Sequence, residues 1–255
     1  MSESATQTIG AVERATAVLR LFIDTDQQSL GVTEIANTLD LSKAVVHRVL
    51  ASLRTADLIT LEPDTRRYAL GPTALALGLA YLERMDIRSL ARPSLQRLSE
   101  LTRETATLSV RHGDQRVYID QVTPPAEVKM TVSLGQAFPL HAGSSSKAFL
   151  AFLGDDEQDR YLQQELRPLT DQTITDHERL RKDISTIRKR GFARSLGERQ
   201  ADAASVAAPI FDHRGVPVAV ISICGPLERF KPDADAAAKL LLEETRELSR
   251  RLGFR

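Results

Sequence analysis

The sequence predicts an α+β chain of two unlike domains joined by a helix. Residues 9–71 hold three helical stripes, a tight turn and two short apolar runs around a Pro-Asp turn. Residues 72–91 read as one linking helix. Residues 92–255 switch to a mixed pattern of strand pairs and helices. A chain of 255 residues is long for one domain and comfortable for two. Its 42% hydrophobic content is enough for a real core. Tryptophan is absent, so that core is built from Leu, Val, Ile and Ala.

In the first domain, residues 1–8 are small and polar and read as a disordered tail. Ile9, Val12, Leu19, Phe22 and Ile23 follow at helical spacing. After a polar break at Asp24–Ser29, Thr33 is the expected N-cap of a short helix burying Ile35, Ala36 and Leu39. Asp40 and Leu41 make a tight turn. Ser42 then caps a second helix with the stripe Val46, Val49, Leu50 and Leu53, at i, i+3, i+4 and i+7. Leu58–Leu61 and Arg66–Leu70 flank Glu62–Thr65 and read as a β-hairpin. Two helices around a tight turn, then a hairpin, make a winged helix-turn-helix. Gly71-Pro72 ends the unit. In the linking helix, Leu75, Leu79 and Leu82 share one side, an expected dimer contact.

In the second domain a helix after Arg92-Pro93 carries Leu95, Leu98 and Leu101. Strands are expected at Thr105–Arg111, Arg116–Val122, Val128–Leu134, Ala204–Phe211 and Val216–Cys224. Helices are expected at Ser145–Leu153, Glu178–Arg190 and about Asp233–Leu252.

The major groove of B-DNA admits one α-helix, and the base edges there carry a distinct donor and acceptor code. Opposite its buried stripe, the second helix presents Ser42, Lys43, Ala44, Val45, His47, Arg48 and Ser52. Lys43 and Arg48 suit guanine or phosphate, and Val45 suits a thymine methyl. Ser42 stands at a helix start that favours phosphate. Arg66 and Arg67, at the hairpin tip, are expected to grip backbone phosphates, and Thr33, at the start of the preceding helix, is also an expected DNA-binding residue. Bulk charge gives no such signal, because 34 Lys+Arg balance 34 Asp+Glu. Residues 1–71 carry 7 basic and 9 acidic residues, whereas residues 42–67 carry 5 and 3. The basicity is local and modest, so tight binding calls for a dimer presenting two units.

Cys224 is the single cysteine, so no intrachain disulfide is possible, which fits a reducing cytoplasm. Met1–Gln7 lacks the apolar stretch of a signal peptide, and no run approaches the roughly 20 apolar residues of a membrane helix. A cytoplasmic protein with no membrane partner is expected. His47, His112, His141, His177 and His213 show no ligand-like spacing, and no Gly-rich phosphate loop occurs. No cofactor or metal is expected.

One stretch points to an anion. His141–Ser146 runs straight into a helix, whose first N–H groups lack intrahelical partners and favour a carboxylate. Ser222 and Cys224 stand two apart on one strand and share a face. Met130, Val132, Leu134 and Phe138 would supply an apolar wall. Ser144–Lys147 also has the Ser-x-x-Lys spacing of serine acylases, so a serine-type hydrolase using Ser144 and Lys147 is the alternative. The companion Ser-Asp-Asn and Lys-Thr-Gly motifs are missing.

Several stretches resemble the IclR family of bacterial transcriptional regulators. They are Leu41–Leu53 (LSKAVVHRVLASL), Pro63–Gly71 (PDTRRYALG), Gly135–Leu150 (GQAFPLHAGSSSKAFL), Arg190–Glu198 (RGFARSLGE), Ala207–Asp212 and Ile221–Pro226. The resemblance runs from Ile9 to about Leu252. It implies a GAF-like effector-binding domain at 92–255, self-association as a homodimer or dimer of dimers, and a roughly palindromic double-stranded operator. It also implies repression or activation controlled by a small organic acid of carbon or aromatic catabolism. By resemblance to pyruvate- and glyoxylate-binding relatives, the effector-binding positions are Ser144, Ser145, Ser195, Ser205, Ser222 and Cys224. Ala44 and Val45 stand where the family often carries small hydroxyl residues. Arg66 replaces a common wing glycine, and Ser195 stands where relatives can have an acid.

Overall fold

A computed structural model describes residues 3–25, 27–83 and 86–255, with the side chains of 3–9, 79 and 81–83 outside that description. It divides into Met1–Met85 and Asp86–Arg255.

The first unit runs α1 (Glu3–Asp24), α2 (Val32–Thr38), α3 (Lys43–Thr55), β1 (Ile59–Leu61), β2 (Tyr68–Leu70) and α4 (Pro72–Glu83). Val46, Leu50 and Leu53 are buried and Val49 packs beside them, so the stripe of α3 faces a core with Val18 and Phe22 of α1, Ile35 of α2, Ile59 and Tyr68. Asp40 takes φ +51°, which turns the chain between the two helices. β1 and β2 pair antiparallel, Thr60 opposite Ala69. Leu30 bridges to Tyr68, exchanging two backbone hydrogen bonds of 2.8 and 2.9 Å, and ties the wing to the segment before α2.

Three expectations shift here. α1 begins at Glu3 rather than Ile9, since Glu3–Thr8 contains no Pro or Gly to stop it; Met1 and Ser2 of the expected tail lie outside the described residues. The N-cap of α2 is Gly31, not Thr33, because the Glu34 carboxylate accepts the Gly31 N–H at 2.9 Å and starts the helix earlier. Thr33 is an exposed residue of the first turn. The linking helix spans Pro72–Glu83 instead of 72–91. On it Leu75 and Leu77 are exposed, while the Leu79 and Leu82 side chains lie outside the described residues.

The second unit contains α5 (Ile87–Thr102), β3 (Thr105–His112), β4 (Gln115–Val122), β5 (Ala137–Pro139), α6 (Ser144–Ala151), α7 (Asp155–Leu162), α8 (His177–Arg190), β6 (Ala193–Leu196), β7 (Ala203–Phe211), β8 (Pro217–Pro226), α9 (Leu227–Phe230) and α10 (Ala234–Arg251). One antiparallel sheet has the order β5-β4-β3-β8-β7-β6. α5 and α10 pack together against it. α6, α7 and α8 share another buried cluster with Ala193, Ala207 and Val220.

α5 begins six residues before Pro93, so Pro93 lies inside it rather than at its start. Asp86 caps the helix by accepting from the Arg88 N–H at 3.0 Å and the Ser89 hydroxyl at 2.7 Å. Ala91, Leu95 and Leu98 are fully buried, and that packing offsets the roughly 3 kcal/mol an interior proline costs. Val128–Leu134 is not a strand. The Gln121 side-chain amide stands in for a backbone partner, donating to Val132 O at 2.8 Å and accepting from Val132 N–H at 3.0 Å, and no ladder forms.

Candidate functional site

Register decides which strand residues meet. Ser195 lies opposite Ser205, Ser205 opposite Cys224, and Cys224 opposite Thr105. One row along, Ala207, Ser222 and Thr107 lie across from one another, and Ser109 faces Tyr118. Side chains two apart share a face, so Ser195, Ser205, Ser222, Cys224, Tyr118 and Arg116 all project from one side of the sheet. α6 covers that side. The Ser144 hydroxyl lies 2.7 Å from the Ser205 hydroxyl, and the Ser146 hydroxyl accepts from Arg116 Nε at 3.0 Å.

A cavity of about 20 Å³ lies between helix and sheet, room for about one water. Its lining brings together all six expected positions, Ser144, Ser145, Ser195, Ser205, Ser222 and Cys224. Gly143 precedes α6 at φ +89° and ψ 160°, a conformation essentially reserved for glycine. A Cβ there would sit 3.3 Å from the Arg199 Cβ, so the bare backbone lets Arg199 close over the helix start.

Sequence reasoning missed Arg116, Tyr118, Arg199 and Gln200, which also line the cavity. Arg116 is the decisive one, because it is 1% exposed. Its guanidinium donates to the hydroxyls of Ser146 at 3.0 Å, Tyr118 at 2.9 Å and Ser109 at 3.3 Å. Burial lowers its pKa, yet a guanidinium stays charged in proteins. The pocket therefore holds a buried cation beside hydroxyl donors and a helix start.

Lys147, one turn into α6, donates to Asp183 at 2.7 Å and to Glu198 at 2.6 Å and is itself 1% exposed. Glu198 also accepts from the Gly143 N–H at 3.3 Å. Burial holds the Glu198 carboxyl above its ordinary value, against the pull of Lys147. With its ammonium on two carboxylates and the Ser144 hydroxyl on Ser205, Lys147 cannot serve as base for Ser144, so the hydrolase alternative fails. His141 is a buried scaffold residue, bonding the Tyr161 hydroxyl at 2.9 Å and the Arg167 carbonyl at 2.9 Å.

In the other unit Ser42 caps α3, its hydroxyl accepting from Val45 N–H at 3.4 Å. Lys43, Ala44, His47 and Arg48 are exposed on the face away from the core, and Val45 is half-buried. Arg66 is exposed at the wing with φ +55°. Residues 79–250 match the family described as bacterial transcriptional regulator IclR, C-terminal, and residues 11–63 match the IclR helix-turn-helix domain. The chain belongs to the IclR family of bacterial transcriptional regulators.

Relatives agree. The HTH-type transcriptional regulator BhcR of Paracoccus denitrificans is 36% identical over 94% of this chain and 86% of its own. The HTH-type transcriptional repressor AllR of Escherichia coli is 32% identical over 96% and 91%. Among solved structures, an IclR regulator of Silicibacter superposes with TM-score 0.86 at 28% identity, covering 96% of both chains. HmgR of Pseudomonas aeruginosa gives 0.83 at 27%, over 95% and 98%. Being an IclR-family regulator, the chain is not an enzyme; its helix-turn-helix binds DNA and its larger domain binds small molecules.

Two site expectations for this IclR-family chain need correction. Arg67 does not reach outward from the wing. Its guanidinium donates to Glu34 at 2.8 Å, to the Ser29 carbonyl at 2.8 Å and to Gln27 at 2.8 Å, so it clamps the hairpin to the start of α2. Met130 and Leu134 do not line the cavity between α6 and the sheet. The segment carrying them is not a strand, so the assumed alternation has no basis; Leu134 is exposed and the Met130 carbonyl accepts from Thr105 at 2.6 Å. Phe138 of the same expected wall does approach, its ring 5.8 Å from that of Tyr118. Among the described residues no helix is long and apolar enough to cross a membrane, and no group of His, Cys, Asp or Glu suits a metal.

Proposed function

We propose that this chain represses or activates transcription from a cytoplasmic operator, and that a small organic acid bound beside Arg116 changes its affinity for that operator. The carrying observation is Arg116, a buried guanidinium with hydroxyl partners only. A buried charge without a counter-charge is unfavourable, and a carboxylate supplies one. Ser144, Ser145, Ser195, Ser205, Ser222 and Cys224 then set its orientation and fit.

On the DNA side, α3 enters the major groove with Lys43, Ala44, Val45, His47 and Arg48 toward base edges and phosphates, and Arg66 holds the flanking backbone. The local basicity is small, which favours two units acting together. The exposed Leu75 and Leu77 of α4 give a homodimer, or a dimer of dimers, an apolar surface to bury. Effector control works by population shift: the acid favours whichever arrangement binds it better, and the operator affinity follows by linkage.

Fluorescence anisotropy on a labelled fragment from upstream of the protein's own gene tests this, with carboxylates titrated in. The expected result is specific binding that changes on adding an acid, and a Ser145→Tyr variant that binds the DNA but no longer responds. Equal responses from both proteins would remove the effector from this pocket.

A further inference from the structure

We propose that the effector carries two anionic groups, one neutralised by Arg116 and the other by Arg199. This rests on the carboxylate reading of the pocket and names the class of acid it takes. Only two residues lining the cavity are charged, and both are arginines. Neither has an ion pair among the described residues. Arg116 spends its donors on hydroxyls, which neutralise nothing. Arg199 is half-buried, with its guanidinium carbon 5.0 Å from the centre of the Phe138 ring; that of Arg116 lies 4.9 Å from the same centre. Two cations are thus held on one aromatic ring, within about 10 Å of each other.

An aromatic face does not balance that. A cation–π contact offsets only part of what desolvating the fully buried Arg116 costs, and closing the half-exposed Arg199 over a ligand takes its charge out of water as well. Nor is a protein carboxylate free to help. Glu198, the neighbour of Arg199 in the chain, is taken by Lys147 and the Gly143 N–H, and Asp183 is taken by Lys147. Glu104 is held by two donors of Arg229 at 2.7 and 2.9 Å. A monoanion would leave one guanidinium without a counter-charge, and a dianion leaves none.

Size narrows the class further. The closed cavity has room for about one water, so a ligand enters by displacing side chains. Arg199 and Gln200, half-buried and exposed, are the lining residues freest to swing aside. The shorter the acid, the fewer side chains must move, so a short aliphatic dicarboxylate asks least of the pocket, with Arg199 closing over its outer carboxylate.

Isothermal titration calorimetry on the full-length protein and on Arg199→Gln tests this with carbon-matched probes: glyoxylate against oxalate, and pyruvate against malonate. A charge-assisted hydrogen bond contributes about 1.5–3 kcal/mol, so the dianion of each pair is expected to bind about ten- to a hundredfold more tightly to the natural chain. Arg199→Gln is expected to abolish that preference and leave the monoanion affinities in place. Equal binding within each pair, or a preference that survives Arg199→Gln, overturns the inference while leaving the carboxylate reading intact. If none of the four, nor succinate, binds with Kd below about 1 mM, the short-dicarboxylate inference falls, and the carboxylate reading is then decided by the wider anisotropy titration against Ser145→Tyr.

Discussion

Replacing Lys147 by methionine should destabilise the effector domain, and by more at high pH than at low. The Lys147 side chain is 1% exposed, and its partners Glu198 and Asp183 are 9% and 24% exposed. Removing one member of a buried ion pair costs about 3–5 kcal/mol, because the remaining charge stays desolvated. Asp183 reaches water, so most of that cost falls on Glu198. Burial already holds the Glu198 carboxyl above its ordinary value, and losing Lys147 raises it further. A group whose pKa is raised by folding stabilises the fold below its unfolded pKa, and that stability disappears as pH climbs through the folded value. In Lys147→Met the window between the two values widens upward. Protonation of Glu198 therefore relieves the penalty near pH 5 and not near pH 8. Urea denaturation followed by circular dichroism at both pH values measures it. A second variant, Lys147→Met with Glu198→Gln, should recover most of the loss because the stranded charge is gone. A penalty below about 1 kcal/mol, or one equal at both pH values, or one that Glu198→Gln leaves unchanged, would refute the reasoning.

Arg66→Gly should keep the wing folded, since φ +55° suits glycine, and should lower the slope of log affinity against log salt by about 0.9, one lost phosphate contact; an unchanged slope in anisotropy titrations places Arg66 off the DNA. Arg67→Met should lower the melting temperature of the DNA-binding domain by freeing the hairpin from Glu34, Ser29 and Gln27. The Gly31 N–H, then Arg67, hold the Glu34 carboxyl below its ordinary value, so the Glu34 share of this stabilisation is present above the ordinary carboxylate range and is lost as pH falls through the lowered value; the gap between the melting curves of the two proteins should narrow on acidification and keep the part owed to Ser29 and Gln27. Burial pushes the Cys224 thiol up to about 12, so at pH 8 about one molecule in ten thousand carries the thiolate. Iodoacetamide should label the native protein far more slowly than the protein in urea, and equal rates would show the thiol to be open.

Local chemistry made the DNA-reading unit legible. Ser42 before the stripe Val46, Val49, Leu50 and Leu53 announces a helix and its buried side in one line of sequence, and the Pro-Asp turn announces the hairpin. Failures arose where distant partners override local preference. Pro93 ought to begin a helix. It sits inside one because Ala91, Leu95 and Leu98 are buried on both sides of it and Asp86 caps from further back. Val128–Leu134 has the composition of a strand. It stays a loop because Gln121, on a neighbouring strand, satisfies the Val132 backbone with a side chain. Arg67 reads as a phosphate grip from its place at the hairpin tip; only folding brings Glu34, some thirty residues back, within 2.8 Å of it.

The cavity under α6 shows how a sequence conceals its most informative residue. Four lining positions were legible through the serine-rich start of α6 and the Ser-x-Cys spacing of β8, and Ser195 and Ser205 came only with the family resemblance. Arg116 was not, because β4 inverts the ordinary rule. Along Arg116-Val117-Tyr118-Ile119-Asp120, alternation assigns Val117 and Ile119 to the interior and the polar residues to water. The fold does otherwise: Arg116 and Tyr118 are buried beneath α6, Val117 and Ile119 are half-exposed, and the register shift at Leu108/Ser109 turns Asp120 to the opposite face, where it is buried too. Asp120 is satisfied by Arg92 at 2.7 Å and Arg88 at 3.4 Å, so its burial has a structural cause. Arg116 has no such counter-charge. Strand phase is set by the sum over all strands in register, and β3, β7 and β8 put their small hydroxyl residues on this side of the sheet, which leaves space for a guanidinium that no large apolar neighbour would tolerate. A polar phase turned inward, with one member left electrically unmatched, is hard to explain by packing alone, and it is the reason for placing the ligand's charge at Arg116.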